Sequence, residues 1–170
     1  MAISSDILRS WRQPRAVVRG ILAEGRREDR AIMFVYAACL LIFVAQWPVY
    51  ARQDAGFDVP VGTEAFEVST RMTYGAFAWL IWAPIILYGL AALSRILAHV
   101  LGGRGTHYGA RIALFWAMLA SAPVLLLHGL TMGFIGAGPA ATLVGAIWVA
   151  LFLWVWSQGL WVSENETVTT

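Results

Sequence analysis

Side chains that could carry out chemistry are few in this 170-residue chain: three histidines, His99, His107 and His128, and one cysteine, Cys39. A membrane haem would need two imidazoles at similar depth on facing helices. His99 and His107 lie near the start of the apolar segment that contains His128. By helical rise, His128 is about 25 Å from that start. A lone cysteine inside an apolar segment is typical of a buried, inert thiol. The sequence therefore predicts no catalytic residue, no metal site, no cofactor and no enzymatic activity.

These residues must be positioned by four apolar segments that contain no Asp, Glu, Lys or Arg. The segments are residues 31–51, 72–94, 112–132 and 140–162. Each is long enough to cross the ~30 Å hydrocarbon core of a bilayer as a helix, which takes about 20 residues. Hydrophobic residues make up 59% of the chain and charged residues only 13%, which excludes an ordinary water-soluble fold. We predict an all-α, polytopic membrane protein with four transmembrane helices.

Arginines between the spans predict the topology. Residues 1–30 hold seven arginines, and the second connection, residues 95–111, holds three arginines and no acid. The third connection, residues 133–139, is uncharged. Because basic flanks stay in the cytoplasm, we expect a multi-pass protein with a cytoplasmic N terminus. Its predicted parts are a cytoplasmic amphipathic basic segment (1–30), a transmembrane domain (31–162) and a short acidic tail (163–170).

The N-terminal segment has an amphipathic pattern, in which apolar residues recur at helical spacing beside arginines. Because Pro14 suits a first helical turn but not an interior, we predict two short interfacial helices, about residues 5–12 and 14–25. The predicted contacts with anionic lipid are Trp11, Arg12, Arg15, Arg19 and, at the end of the second span, Arg95. A solvated tether whose arginines only set topology is the alternative. The net charge of only +2 argues against nucleic-acid binding.

Small residues repeat at every fourth position in the last two spans, where they would let helix backbones approach closely. We therefore predict a tight hairpin of spans three and four. A seam between two copies of the chain is the alternative. The predicted packing residues are Ala113, Ala117 and Ser121 in the third span and Gly138, Thr142, Ala146 and Ala150 in the fourth.

Pro84 and Pro123 interrupt the second and third spans in similar sequence settings, and we expect a kink at each. Such an arrangement in antiparallel spans is typical of inverted repeats in transporters. Together with His128, the prolines support an alternative function as a small transporter or channel.

Three stretches resemble bacterial, especially alphaproteobacterial, members of the Yip (Ypt-interacting protein) domain family. They are QPRAVVRGIL at residues 13–22, GRREDR at residues 25–30 and LIFVAQWP at residues 41–48. The resemblance implies a multi-span helical protein of the bacterial inner membrane with a cytoplasmic N terminus. Eukaryotic relatives act in vesicle traffic and associate with small GTPases. This chain has four predicted spans instead of the family's usual five and lacks the eukaryotic N-terminal signature, so GTPase binding is not transferred.

The favoured hypothesis is a non-enzymatic inner-membrane protein that organises lipid or serves as an accessory or scaffold subunit of a membrane complex. It follows from the arginine-rich amphipathic segment, the small-residue packing and the absence of charge within the spans. The expected partners are anionic membrane lipids, together with a partner membrane protein or a second copy of the chain.

Overall fold

A computed structural model describes residues 3–62, 66–100 and 102–165. In this part of the chain all regular secondary structure is helical, with no strand, which confirms the predicted fold class. A π-helix, Ala78–Trp82, joins α5 to α6. The α-helices are α1 (Ile3–Arg12), α2 (Pro14–Ala23), α3 (Glu28–Ala45), α4 (Trp47–Asp54), α5 (Val68–Phe77), α6 (Ala83–Val100), α7 (His107–Phe134) and α8 (Pro139–Asn165).

Four helical segments are long and apolar enough to cross a membrane, as the sequence predicts. They are Glu28–Asp54, Val68–Val100, His107–Phe134 and Pro139–Asn165. Each is longer than the uncharged segment within it, because the helix continues beyond that segment. The predicted acidic tail is partly helical, since α8 continues to Asn165. Residues 166–170 lie outside the described part.

The first of these segments, which contains the span predicted for residues 31–51, consists of two helices. Helix α3 ends at Ala45, and α4 begins at Trp47. Pro48 has no N–H to continue the ladder but fits the first turn of a new helix. The Gln46 N–H instead bonds to the Phe43 carbonyl at 3.0 Å. The helix is therefore interrupted at Gln46, near the far end of the first span.

The two other prolines within the spans behave differently from one another. Pro84 is the second residue after the π-helix, and the Ala83 N–H bonds to the Ala78 carbonyl five residues back. Loss of the Pro84 N–H explains why the ladder shifts register there. Helix α7, in contrast, continues through Pro123.

Helix α7 is the centre of the bundle, and α3, α6 and α8 pack around it. From Tyr108 to Ala122, every residue of α7 except Arg111 is buried. Aromatic contacts reinforce this core, with ring centroids of Trp116 and Phe34 5.0 Å apart in an edge-to-face pair. The outer faces of α6 and α8 expose large apolar side chains, which is how helices at the edge of a membrane bundle meet lipid.

Labelling of single cysteines in intact cells tests the topology. In a Cys39→Ser background, a cysteine at residue 20 or residue 104 should react only after the membrane is opened, whereas one at residue 58 should react from outside. The expectation rests on the arginine distribution around the four spans. Residue 104 reacting from outside would overturn the four-span arrangement.

Candidate functional site

The two N-terminal helices are docked on the bundle. On α2, Pro14, Val17, Val18 and Leu22 are buried, and Val18 is fully covered. A methyl group at Gly159 of α8 would lie 3.3 Å from the Val18 side chain, which shows how closely α2 approaches α8. The apolar face of this amphipathic segment therefore packs against protein, where we had predicted insertion into lipid.

Helix α1 is held by two hydrogen bonds to α7. The Trp116 indole N–H donates to the Ser10 hydroxyl at 2.8 Å, and the Trp11 indole N–H donates to the Ala120 carbonyl, also at 2.8 Å. Pro123 has no N–H to donate to the Leu119 carbonyl four residues back, and the Ala120 carbonyl that accepts from Trp11 is the next one in the helix. Trp11 supplies a donor to this turn. Trp11, predicted as a lipid contact, thus also anchors α1 to α7.

These contacts fix the depth of α1. Trp116 and Ala120 lie about 6 and 12 Å by helical rise beyond Ile112, the first residue of the third uncharged segment. The end of α1 therefore lies beside the half of α7 nearest His107, within the apolar length of the bundle.

The outer side of α1 carries a basic groove. Its volume is about 560 Å³, and it is lined by Leu8, Arg9, Trp11, Arg12 and Gln13. Arg9, Arg12 and Leu8 are exposed. Neither arginine makes an ion pair or a side-chain hydrogen bond with any residue in the described ranges. The groove thus combines two available guanidinium groups with an apolar wall.

The other predicted lipid ligands on this segment belong to α2. The Arg15 guanidinium donates to the Gln158 side-chain oxygen and lies 4.3 Å from the centroid of the Trp161 ring. Arg15 therefore ties α2 to α8 while remaining exposed, and Arg19 is also exposed. Arg9 was missed from the sequence, although its position three residues before Arg12 places both on one helix face.

Arg95, predicted as a lipid ligand, has an acidic partner within the protein. Its Nη1 atom lies 3.3 Å from Oε2 of Glu164, and the two side chains are only 12% and 7% exposed. The Gly105 N–H also donates to this Oε2 at 2.8 Å. A methyl group at Gly105 would lie 2.7 Å from Oε1 of Glu164. The loop between α6 and α7 therefore wraps around a largely buried carboxylate from α8.

Further ion pairs join the same end of the bundle. Arg111 Nη2 lies 3.0 Å from Oε1 of Glu28, which connects the starts of α7 and α3. Arg27 donates to Asp29 at 2.9 Å, and this hydrogen bond, with the attraction between the two charges, raises the pKa of Arg27. The Tyr108 hydroxyl donates to the Arg27 carbonyl at 3.2 Å.

Helices α7 and α8 form a close hairpin, but only part of the predicted seam lies between them. Ala113, Ala117 and Ser121 of α7 are fully buried. A methyl group at Gly159 would lie 3.3 Å from the Ala113 Cβ, and one at Gly109 would lie 2.8 Å from the Ser163 Cβ. The close approach therefore uses Gly159 and Ser163 on α8.

The small-residue stripe predicted for α8 faces away from α7. Gly138 is half-buried, and Thr142, Ala146 and Ala150 are exposed. The inward face instead carries a stacked column of Trp148, Phe152 and Trp156, with successive ring centroids 5.9 and 5.7 Å apart. Aromatic side chains bury more surface and make more dispersion contacts than alanines, so they favour this rotation of α8.

A glycine pair that sequence reasoning missed makes the closest contact between α7 and the first span. Methyl groups at Gly129 and Gly133 would lie 2.8 Å from the carbonyl carbons of Ala45 and Pro48, respectively. The spacing is a Gly-x-x-x-Gly motif, which permits backbones to approach closely in membranes. The motif was readable in the sequence and places the junction of α3 and α4 directly on α7.

His128 has a packing role in the hairpin. It is half-buried, and a methyl group at Gly145 of α8 would lie 3.3 Å from its ring. The imidazole therefore lies against the α8 backbone at a position where that helix has no side chain.

The fold and these contacts define a class, the polytopic α-helical integral membrane proteins. No protein-family model, curated protein or solved structure matches the chain. Among the described residues, no group of three or more His, Cys, Asp or Glu side chains could hold a metal ion. The basic groove of α1 is accordingly the candidate functional site.

Proposed function

We propose that this chain is a non-enzymatic protein of the bacterial inner membrane that binds anionic lipid through the α1 groove and thereby organises lipid around a membrane complex. The observation that supports it most is the pair of exposed arginines, Arg9 and Arg12, without an acidic partner in the described ranges. Membership of the Yip domain family, with a cytoplasmic N terminus, is part of the same proposal.

The position of the arginines makes lipid phosphate the fitting anion. Trp11, between Arg9 and Arg12 in the chain, is hydrogen-bonded to Ala120 within the apolar length of α7. A guanidinium held there extends its head to the nearest polar layer, which is the phosphate layer of the membrane. Guanidinium groups pair bidentately with phosphate, and Leu8 offers apolar surface to the attached acyl chains.

The rival transporter function is favoured less, because two of its three supports lie among protein contacts. The Trp11 N–H donates to the Ala120 carbonyl, three residues before Pro123, and the His128 ring lies against Gly145. The π-helix before Pro84 remains, since such turns often occur at functional sites, but it requires no substrate pathway.

Native mass spectrometry of the full chain in mild detergent tests the groove. With phosphatidylglycerol as the probe, the double variant Arg9→Gln, Arg12→Gln should bind this lipid roughly thirtyfold more weakly, since each arginine contributes about 1 kcal/mol. Phosphatidylcholine with the same acyl chains should be retained less than phosphatidylglycerol by the unmodified protein.

The matched control is Arg27→Gln, Arg104→Gln, which removes the same charge from two other exposed arginines. Its affinity for phosphatidylglycerol should change by less than about threefold, because salt screens the attraction between distant exposed charges and the lipid. If the two double variants weaken binding equally, the groove has no specific role and the proposal fails.

A further inference from the structure

A second basic pocket lies between α6 and α7 and shares no residue with the α1 groove. Its volume is about 280 Å³, and it is lined by Tyr88 and Ala92 from α6 and by His107 and Arg111 from α7. Each pair is four residues apart, so each helix contributes one continuous face to the pocket.

Three side chains of this pocket have hydrogen-bond donors to spare. Arg111 uses Nε on the His107 carbonyl at 3.2 Å and Nη2 on Glu28 at 3.0 Å, which leaves its Nη1 group available. The Tyr88 hydroxyl and the His107 ring have no hydrogen-bond partner within the described ranges. The Arg111 guanidinium lies 5.9 Å from the centroid of the Tyr88 ring, and both residues line the pocket.

The electrostatic setting favours an anion. His107 is the first residue of the 28-residue helix α7, whose N-terminal end carries partial positive charge. Glu28, the acid that contacts Arg111, is already paired with it and is also 3.5 Å from Arg26. Its negative charge is thus balanced by two arginines, and the pocket itself keeps a basic character.

The surroundings of the pocket indicate where the rest of the ligand would lie. Ala92 is exposed, and so are Ile85 and Ile81 on the part of the second span that leads away from His107 toward α5. A molecule with an anionic head in the pocket could therefore lay apolar chains along the second span. Phospholipids have this combination of a phosphate and acyl chains, whereas a free phosphate ion would leave the apolar surface unused.

We propose that the pocket formed by Tyr88, Ala92, His107 and Arg111 binds the phosphate headgroup of a membrane phospholipid, whose acyl chains follow α6 and the π-helix. Tyr88 and His107 donate hydrogen bonds to phosphate oxygens, and Arg111 adds its free Nη1 group. This is a second lipid site that uses different residues from the proposed site on α1.

The test is native mass spectrometry of the full chain with the double variant Tyr88→Phe, His107→Ala. Tyr88→Phe keeps the ring that packs against Phe115 at a centroid distance of 4.8 Å, and Arg111 is left intact because it holds Glu28. Loss of two charge-assisted hydrogen bonds should weaken binding of one phosphatidylglycerol molecule by about tenfold or more. The matched control is Tyr74→Phe, His99→Ala, which removes the same groups from exposed residues outside the pocket and should leave this binding unchanged.

Two further probes identify the ligand. Glucosyldiacylglycerol, which has acyl chains but no phosphate, should bind the unmodified protein and the pocket variant equally weakly. Inorganic phosphate alone should not displace the retained phospholipid. Three results would each overturn the proposal. They are displacement of the phospholipid by inorganic phosphate, retention of the phosphate-free lipid equal to that of phosphatidylglycerol, and equal losses of binding in the pocket variant and its control.

The two lipid sites can fail separately. Loss of one lipid in Arg9→Gln, Arg12→Gln with none lost in Tyr88→Phe, His107→Ala would sustain the α1 groove and overturn the second site. The reverse result would sustain the second site and overturn the proposed function of α1. Thermal stability equal to that of the control variant shows that each loss is a binding effect and not unfolding.

Discussion

Gly129→Ala should destabilise the bundle by about 3 kcal/mol, because a methyl group there meets backbone and not a movable side chain. The added carbon would overlap the Ala45 carbonyl and lie 2.8 Å from its carbon atom. Helix α7 and the junction of α3 and α4 would have to separate, and this would also disturb the contact of Gly133 with Pro48. Denaturant titration of the full chain in detergent, followed by circular dichroism, measures the loss.

Gly89→Ala is the matched control for this change. Gly89 lies in α6, and a methyl group there would meet nothing within 4 Å. Since alanine is favoured over glycine in a helix by up to about 1 kcal/mol, this variant should be as stable as the parent or slightly more so. Equal stability of the two variants would show that α7 and the first span do not approach as closely as described.

Glu164→Gln should cost on the order of 3 kcal/mol of stability, since it leaves the Arg95 guanidinium without its counter-charge. The Arg95 side chain is only 12% exposed, so water cannot readily replace the carboxylate. The glutamine amide oxygen can still accept the Gly105 N–H, and the loss therefore reports mainly on charge. The same denaturant titration measures it.

Glu24→Gln provides the comparison, because Glu24 is paired with Arg30 but its side chain is 66% exposed. An exposed pair contributes between 0 and about 1 kcal/mol, so this variant should lose at most that amount. Adding Arg95→Gln to Glu164→Gln should restore part of the stability by removing the unpaired charge. A loss no larger than that of Glu24→Gln would mean that the Arg95–Glu164 pair is accessible to water.

Both predictions concern the helix bundle against which α1 and its groove are packed. Helix α7 receives the close contact of the first span through Gly129 and the anchors of α1 through Trp116 and Ala120. A change that moves α7 should therefore also alter the depth of Arg9 and Arg12. Lipid affinity should be compared only among variants of similar stability.

The sequence by itself determined the number of spans and the division of the N-terminal segment into two short helices. Helices formed by uncharged runs of 20 or more residues are stable only in lipid or a protein core. The number and lengths of these runs can be read from the sequence alone. Pro14 marks the start of α2 because its fixed φ suits a first turn, and α2 ends just before Gly25, whose φ is +88°. These features depend on local chain properties and on the solvent.

Only the tertiary structure decided which apolar face is buried. Lipid is as apolar as a core side chain, so alternation of hydrophobicity does not mark the inner face of a transmembrane helix. For this reason the exposed stripe of Ala146 and Ala150 could not be distinguished from the inward seam of Gly159. The inward docking of Trp11 and Val18 could not be predicted either, because the apolar face of an amphipathic helix can pack against a helix bundle as well as a bilayer.

The partner of Arg95 was likewise decided by the tertiary structure. Glu164 lies 69 residues away in the chain, and no local pattern connects the two. Charge alone predicted that Arg95 would be near a membrane surface, where a lipid phosphate or a carboxylate can neutralise it equally well. Packing of α7 against α6 and α8 brings the carboxylate within 3.3 Å of the guanidinium, and this proximity selects the protein partner.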